Sequence, residues 1–137
     1  MPDERGEKQA AQIIEDFLAE LARAVPKGEN REYSVKEMEA QLKGVMPILS
    51  ALSQRWSLGI LFLLYMKSLN FNELKDILHG INSRTLTDKL RMLEQHGILT
   101  RTVRSNPPIR VNYSLTKKGR DITLSCLPLL YELHRQK

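Results

Sequence analysis

Apolar residues recur at helical spacing in the first part of the chain. Across residues 7–25 they return every three or four positions, which predicts a helix with one apolar stripe. Pro26 and Gly28 follow directly and are expected to end this helix. The acidic residues fall mostly off the stripe, so the helix has one face to bury and requires a partner surface.

The same patterning predicts three more helices before the middle of the chain. Ser34 and Glu37 form a capping-box pattern, which favours a second helix that ends near Leu42. A short apolar helix is expected over residues 45–52. The run at residues 58–66 has almost no polar face and follows a serine that is expected to cap it, so it is interpreted as a buried core helix.

Two short helices joined by a tight turn are predicted next. A turn at residues 68–70 leads to a helix over residues 72–78. Asn82 or Ser83 is positioned to cap a longer helix over residues 84–96. The connection between the two helices contains a glycine, and this arrangement is typical of a helix-turn-helix motif.

Beyond this motif the apolar period changes from helical to alternating. Residues 98–104 and 110–115 predict two strands of a β-hairpin, with an exposed tip at residues 105–108, where two prolines cannot donate to the strand ladder. Thr116 is expected to cap a final helix over residues 117–135. The predicted fold class is therefore α+β, mostly α.

The composition suits one compact globular domain, since 42% of the 137 residues are apolar. No apolar run approaches the roughly 20 residues needed to cross a bilayer, so no membrane partner is expected. The N-terminus lacks the basic-then-apolar pattern of a secretory signal, which predicts a cytoplasmic location. The single cysteine, Cys126, excludes an internal disulfide and a cysteine-based zinc site.

The sequence offers no recognisable catalytic, cofactor or metal motif. It contains no G-x-S-x-G and no glycine-rich phosphate loop, so we expect no enzyme activity, no catalytic residue and no cofactor. His79, His96 and His134 are too far apart in sequence to form a local metal motif. His79 and His96 are expected at helix ends, where they can cap the last carbonyl groups.

Charge is distributed unevenly along the chain. Residues 1–40 carry 6 basic and 10 acidic side chains, whereas residues 41–137 carry 15 basic and 6 acidic ones, for net charges of −4 and +9. The larger part can therefore attract a polyanion, and nucleic acid is the natural candidate. A basic surface that merely keeps the chain in solution is the alternative.

The helix over residues 84–96 carries a polar face that suits a DNA groove. Its leucines define a buried side, and rotation by about 100° per residue places four polar residues opposite, namely Arg84, Asp88, Arg91 and Gln95. Arginine can pair with a guanine edge, and serine or threonine with a base or a phosphate. Amides at the N-terminus of this helix also favour a phosphate. An ordinary solvated surface helix remains the alternative interpretation.

The predicted hairpin adds a second basic surface beside this helix, because arginines flank its tip. Such a hairpin could place arginine near a minor groove or its phosphates. We expect base-edge contacts from Arg84, Thr87, Asp88 and Arg91, backbone contacts from Asn72, Lys75, Ser83 and Thr85, and hairpin contacts from Arg104, Asn106 and Arg110.

Five segments in this order resemble the HxlR-type winged helix-turn-helix regulators. They are residues 56–61 (WSLGIL), 71–74 (FNEL), 80–86 (GINSRTL), 90–99 (LRMLEQHGIL) and 113–119 (YSLTKKG). Each is common alone, but their order, their spacing and the Pro-Pro hairpin tip make the set specific. The resemblance covers roughly residues 50–135. The chain is also similar to small archaeal winged-helix regulators.

The resemblance implies a dimeric transcription regulator of the broader MarR-like group, with its recognition helix at residues 83–96 and its wing at 101–115. The predicted domain organisation is an N-terminal helical extension (1–44), a winged helix-turn-helix DNA-binding domain (45–116) and a C-terminal helix (117–137), with dimerisation expected through the two terminal parts. Family dimers pair through terminal helices. The apolar residues expected in that interface are Ile13, Phe17, Leu21, Ile122, Leu130 and Leu133.

Two features depart from the family pattern. Many members carry a redox-sensing Cys-Pro pair shortly before the tryptophan, whereas residues 43–47 here read KGVMP, which excludes thiol sensing at that place. Cys126 is expected to be a buried, inert thiol. The acidic N-terminal segment is longer than is usual in the family. A protein-docking module on the same scaffold and a non-specific architectural DNA binder stay open as alternatives, and the sequence names no effector.

Overall fold

The computed structural model describes residues 3–24 and 35–135 and confirms a mostly helical α+β fold. Six helices and three strands occur in this part of the chain. In order they are α1 (Glu4–Ala24), α2 (Val35–Ser53), α3 (Ser57–Met66), β1 (Leu69–Asn70), α4 (Phe71–Ile77), α5 (Ser83–Gln95), β2 (Leu99–Arg104), β3 (Arg110–Leu115) and α6 (Lys117–Arg135).

The chain divides into two compact units. The first contains the residues up to Gln41 and those from Cys126 onwards, and the second contains Leu42–Ser125. The second unit holds the hydrophobic core, and α3 lies in it as the predicted buried helix. The core side chains come from α2, α3, β1, α4, α5, the start of β2 and the loops before and after α5. Those with no more than 1% of their surface exposed are Ala51, Ile60, Leu61, Leu69, Leu74, Leu86, Leu93, Ile98 and Leu99.

The sheet of the second unit has three antiparallel strands in the order β1-β3-β2. The predicted hairpin is confirmed, and its ladder runs from Leu99 opposite Leu115 to Arg104 opposite Arg110. The turn expected at residues 68–70 is partly a strand, because Leu69 pairs with Tyr113. Leu69 is buried, so this short strand adds an apolar side chain to the core while it extends the sheet.

Helix α2 corrects the expectation of two separate helices over residues 34–52. It is one continuous helix, Val35–Ser53, and Gly44 and Pro47 both lie inside it. An internal proline removes one backbone hydrogen bond, but it does not prevent the turns on either side from forming. Ser34, the expected cap of the earlier helix, lies outside the described residues.

The start of α3 corrects a second expectation. Ser57 is the first helical residue, and the N-cap is Trp56, whose φ of 78° is left-handed. The Ile60 amide donates to the Trp56 carbonyl at 3.0 Å, as an N-cap carbonyl requires. The guanidinium of Arg55 lies 4.8 Å from the centre of the Trp56 ring. The Ser57 hydroxyl is buried and has no hydrogen-bond partner among the described residues.

The other helix starts in the second unit use side-chain caps. Asn70 and Glu73 form a capping box on α4. Asn82, one of the two candidates, caps α5, because its Oδ1 accepts from the Thr85 amide at 2.8 Å. Thr116 caps α6 as predicted, since its hydroxyl oxygen accepts from the Gly119 amide at 3.0 Å. These caps determine where each helix begins.

The first unit contains α1, the first turns of α2 and the last turns of α6. An ion pair joins Arg135 Nη1 to Glu15 Oε1 at 3.5 Å. The apolar stripe of α1 stays largely uncovered, with Ile13 60% exposed, Phe17 48% and Leu21 43%. Helix α2 also carries a row of exposed apolar side chains along its length, namely Val35, Met38, Leu42, Val45, Met46 and Leu49.

None of the described helices alone has the length and hydropathy to cross a membrane. Helices α2 and α3 satisfy both conditions only as a pair that bends by 81°.

Candidate nucleic-acid interface

Helix α5 presents the polar face that the sequence predicted. Its buried side consists of Leu86, Leu90 and Leu93. The residues expected on the opposite side, Arg84, Asp88, Arg91 and Gln95, are all exposed. No ion pair within 4 Å involves these side chains in the described part of the chain, so both guanidinium groups are available to an anion.

The N-terminus of α5 is only partly open to a ligand. The Thr85 amide is already taken by Asn82, whereas the amides of Ser83 and Arg84 have no acceptor among the described residues. The Thr87 hydroxyl donates to the Ser83 carbonyl at 2.8 Å, and its side chain is half-buried. Two amides therefore point out of the first turn, where the positive end of the helix dipole favours an anion.

The hairpin tip gathers exposed basic and polar residues. Arg104 and Arg110 form the last pair of the ladder, directly opposite each other. Every residue from 101 to 110 is exposed, including Asn106. Because like charges opposite each other are unfavourable in a sheet, this pair suits a surface that receives an anion.

A cleft of about 420 Å³ brings two of the expected contacts together. Asn72, on α4, and Arg110, on β3, both line it. The other lining residues mix polar and apolar groups, and they are Asn70, Phe71, Pro108, Ile109 and Val111. Lys75 is exposed on the same helix but does not line the cleft. The start of the helix-turn-helix and the wing thus share one surface.

A second cleft, of about 290 Å³, lies between α5 and the hairpin. Two expected contacts, Thr87 and Arg91, line it. It also contains a basic residue that was not among the expected contacts, because Arg101 lines it with Leu90, Glu94 and Tyr113. The ladder places Arg101 directly opposite Tyr113. The alternation of side chains along β2 would have placed Arg101 beside α5 only if the register between β2 and β3 had been known.

The residues expected in a dimer interface differ in their surroundings. Ile13, Phe17, Leu21 and Leu133 are exposed, and Leu130 is half-buried. Ile122 is also half-buried, but it packs against the core of the second unit. The exposed row on α2 was not among the expected residues. The sequence indicates this row by apolar residues at helical spacing that continue through Gly44 and Pro47.

The remaining candidate chemistry is sparse in the described residues, where no group of three or more His, Cys, Asp or Glu side chains could hold a metal ion. Cys126 is a half-buried free thiol, and burial raises its pKa. A hydrogen bond from Lys117 to Asp121, together with their charge attraction, raises the pKa of Lys117. Neither group lines the two clefts described above.

Comparison with known proteins identifies the family. The model of the HxlR-like helix-turn-helix family matches residues 51–135. An uncharacterised HTH-type transcriptional regulator of Synechocystis is 37% identical over 91 residues, which cover 66% of this chain and 64% of that protein. A MarR-family transcriptional regulator of Enterococcus faecalis superposes with a TM-score of 0.59 at 31% identity, over 79% of this chain and 96% of that chain. The redox regulator HypR in its reduced form superposes with a TM-score of 0.56 at 34% identity, over 65% of this chain and 86% of that chain.

The chain therefore belongs to the HxlR-like helix-turn-helix family, which confirms the resemblance inferred from the sequence. The matched segment begins near the end of α2 and contains α3 to α6 with the hairpin. It contains the helix-turn-helix that gives the family its name. Helix α1 and most of α2 precede the matched segment.

Proposed function

We propose that the chain is a sequence-specific transcription regulator that binds duplex DNA as a symmetric homodimer. Two copies of α5 would enter major grooves about 34 Å apart on a pseudo-palindromic site. The regulator would act in the cytoplasm by occupying a promoter, without catalysing a reaction. The observation that carries this proposal is the exposed face of α5, where unpaired arginines lie opposite buried leucines.

The contacts divide by the part of the DNA they meet. On α5 we assign base edges to Arg84, Thr87, Asp88 and Arg91, where an aspartate can accept from cytosine. Backbone contacts come from Asn72, Lys75, Ser83 and Thr85. The free amides of Ser83 and Arg84 support a phosphate at the start of α5. The wing contributes Arg104, Asn106 and Arg110.

Dimerisation is assigned to the two ends of the chain, residues 1–44 and 117–137, with residues 45–116 as the DNA-binding domain. The exposed stripe on α1 supports this, because contiguous apolar surface on a small protein marks an interaction site. The exposed row on α2 enlarges that surface. A second copy of this chain is the partner that a symmetric DNA site requires.

Sedimentation equilibrium tests the dimer. Phe17→Glu and Leu21→Glu each place a charge on the α1 stripe, and each should weaken self-association at least tenfold. Ala19→Glu adds the same charge to an exposed position off the stripe and is the matched control. Deletion of residues 1–40 should weaken or abolish dimerisation. A dimer of unchanged stability in the two stripe variants and the deletion would contradict the assignment.

Binding to DNA is tested by mobility shift at two salt concentrations. The probes are duplexes from the region upstream of the protein's own gene and random duplexes of equal length. Selective retention of one upstream duplex is the expected result. Salt-sensitive retention of every duplex alike would indicate an architectural binder, and no retention would favour the docking module.

A further inference from the structure

The cleft between α5 and the hairpin combines two unpaired arginines. Arg91, on α5, and Arg101, on β2, both line it. Both side chains belong to exposed residues, and neither has an acidic partner within 4 Å in the described ranges. Glu94 supplies the one carboxylate among the residues that line the cleft, so the two guanidinium groups leave it with a net positive charge that favours an anion.

Strand alternation distinguishes Arg101 from the arginines at the wing tip. Successive side chains point to opposite faces of a strand, so Arg101 shares a face with Leu99, and Arg104 lies on the other face. Leu99 is buried in the core, and Tyr113, opposite Arg101, packs against that core. Arg101 therefore lies on the α5 side of the hairpin, at the edge of the core.

Position along α5 also separates Arg91 from Arg84. The two residues are seven positions apart, which corresponds to about 10 Å along the helix axis. The N-terminal residues of a recognition helix contact base edges, whereas the groove that holds the helix is bordered by phosphates. A charged residue two turns further on, beside the hairpin, is placed to meet that border.

We propose that this cleft holds one phosphate group of the DNA backbone between Arg91 and Arg101. The inference rests on the proposed function, and it assigns Arg91 to the backbone instead of to a base edge. Arg101 becomes a DNA-binding residue in its own right. Neither contact depends on the base sequence. Together they fix the position of α5 and the wing on the DNA.

Glu94 gives the proposal a second, opposite test. Its carboxylate lines the same cleft and makes no ion pair within 4 Å with either arginine, as far as the described residues extend. A phosphate seated there would be repelled by this charge. Neutralising Glu94 should therefore tighten binding to DNA, whereas neutralising either arginine should weaken it.

The test uses the full chain and fluorescence anisotropy over a series of salt concentrations. The probes are the selected upstream duplex and a random duplex of equal length. Arg101→Gln and Arg91→Gln should each weaken binding to both duplexes by a similar factor, about three- to tenfold. Each should reduce the slope of log K against log salt by about 0.9 for every phosphate that is no longer neutralised. Glu94→Gln should tighten binding to both about two- to fivefold.

Lys117→Gln is the matched control, because it also removes one exposed positive charge. Lys117 is the first residue of α6, pairs with Asp121 at 2.7 Å and lines neither cleft. It should leave the slope unchanged. Thermal melts of all variants check that each one folds.

A duplex with single methylphosphonate substitutions provides an independent readout. At one position of the duplex, neutralising the phosphate should weaken binding by the wild-type protein. The same substitution should have little further effect on binding by Arg101→Gln, because both changes remove the same charge interaction. If Arg101→Gln keeps the wild-type slope and shows no such coupling, the inference is overturned and the proposed function stands. If the wild-type protein binds neither duplex, the proposed function fails first and the inference with it.

Discussion

Arg104 and Arg110 lie directly opposite each other in the last pair of the β2–β3 ladder. Both are exposed, and neither has an acidic partner within 4 Å in the part of the chain that the structure describes. Like charges in this position destabilise a hairpin by a fraction of a kcal/mol. The repulsion therefore makes the wing of the free protein slightly less stable. A DNA phosphate bound between the two arginines would offset this repulsion.

Neutralising either member of this pair should change stability and DNA affinity in opposite directions. Arg104→Gln should raise the free energy of unfolding by about 0.2 to 0.5 kcal/mol, because it removes the repulsion. The same change should weaken DNA binding about three- to tenfold, because the wing then carries one less charge for a phosphate. Urea unfolding and fluorescence anisotropy measure the two effects. A variant in which affinity and stability both fell would point to a damaged hairpin instead of a missing charge.

Arg84 should carry specificity. It lies in the first turn of α5, on the exposed face, with no ion-pair partner among the described residues. Arg84→Ala should cost about 1 to 3 kcal/mol on the selected duplex and less on random duplex. Gln95→Ala, at the other end of the same face, is the control and should change neither affinity. Equal losses of affinity on both duplexes would make Arg84 a phosphate-binding residue.

Gly119 should be required for stability. A Cβ at this position of α6 would overlap the carbonyl oxygen of Ile98, a backbone atom that cannot move aside cheaply. Gly119→Ala should therefore lower the free energy of unfolding by about 2 to 3 kcal/mol. Gly44→Ala is the matched control, because Gly44 lies inside α2 with open space around it. That variant should raise stability by about 0.5 to 1 kcal/mol. Equal effects of the two substitutions would contradict this account of the close approach to Ile98.

Cys126 should react slowly with alkylating reagents. Burial raises the pKa of its thiol, so at pH 8 a smaller fraction is thiolate than in an exposed cysteine. Alkylation by iodoacetamide should be slower in the folded protein than in urea, and it should speed up as the pH rises. Mass spectrometry over time measures both rates. Equal rates in the folded and unfolded protein would show an accessible thiol and would reopen a sensing role.

Local signals were enough to predict the helix-turn-helix and the hairpin. The cap at Asn82, the leucine spacing of α5 and the alternation of β2 and β3 all act over a few residues. They therefore give the exposed face of α5 directly from the sequence. Thr116 could be predicted as the cap of α6 for the same reason, because its hydrogen bond with the Gly119 amide is also local.

The predictions that failed or were missed concern positions where packing between distant residues or an unusual backbone conformation determines the structure. The sequence predicted one helix that ends near Leu42 and another over residues 45–52, yet α2 is continuous from Val35 to Ser53. Ser57 is the better cap by residue type, but Trp56 takes that position with a left-handed backbone. The position of Arg101 depends on its pairing with Tyr113, and a register between strands is not visible in either strand alone.

The most direct test of the central claim is an amide NMR titration of the full chain with the selected duplex. The account predicts that the largest shifts occur at residues 83–91 and 101–111, where α5 and the wing meet the DNA. Random duplex should give smaller shifts over the same residues at equal salt. Shifts confined to α1 and α2, or none at all at saturating duplex, would contradict a DNA interface formed by α5 and the wing.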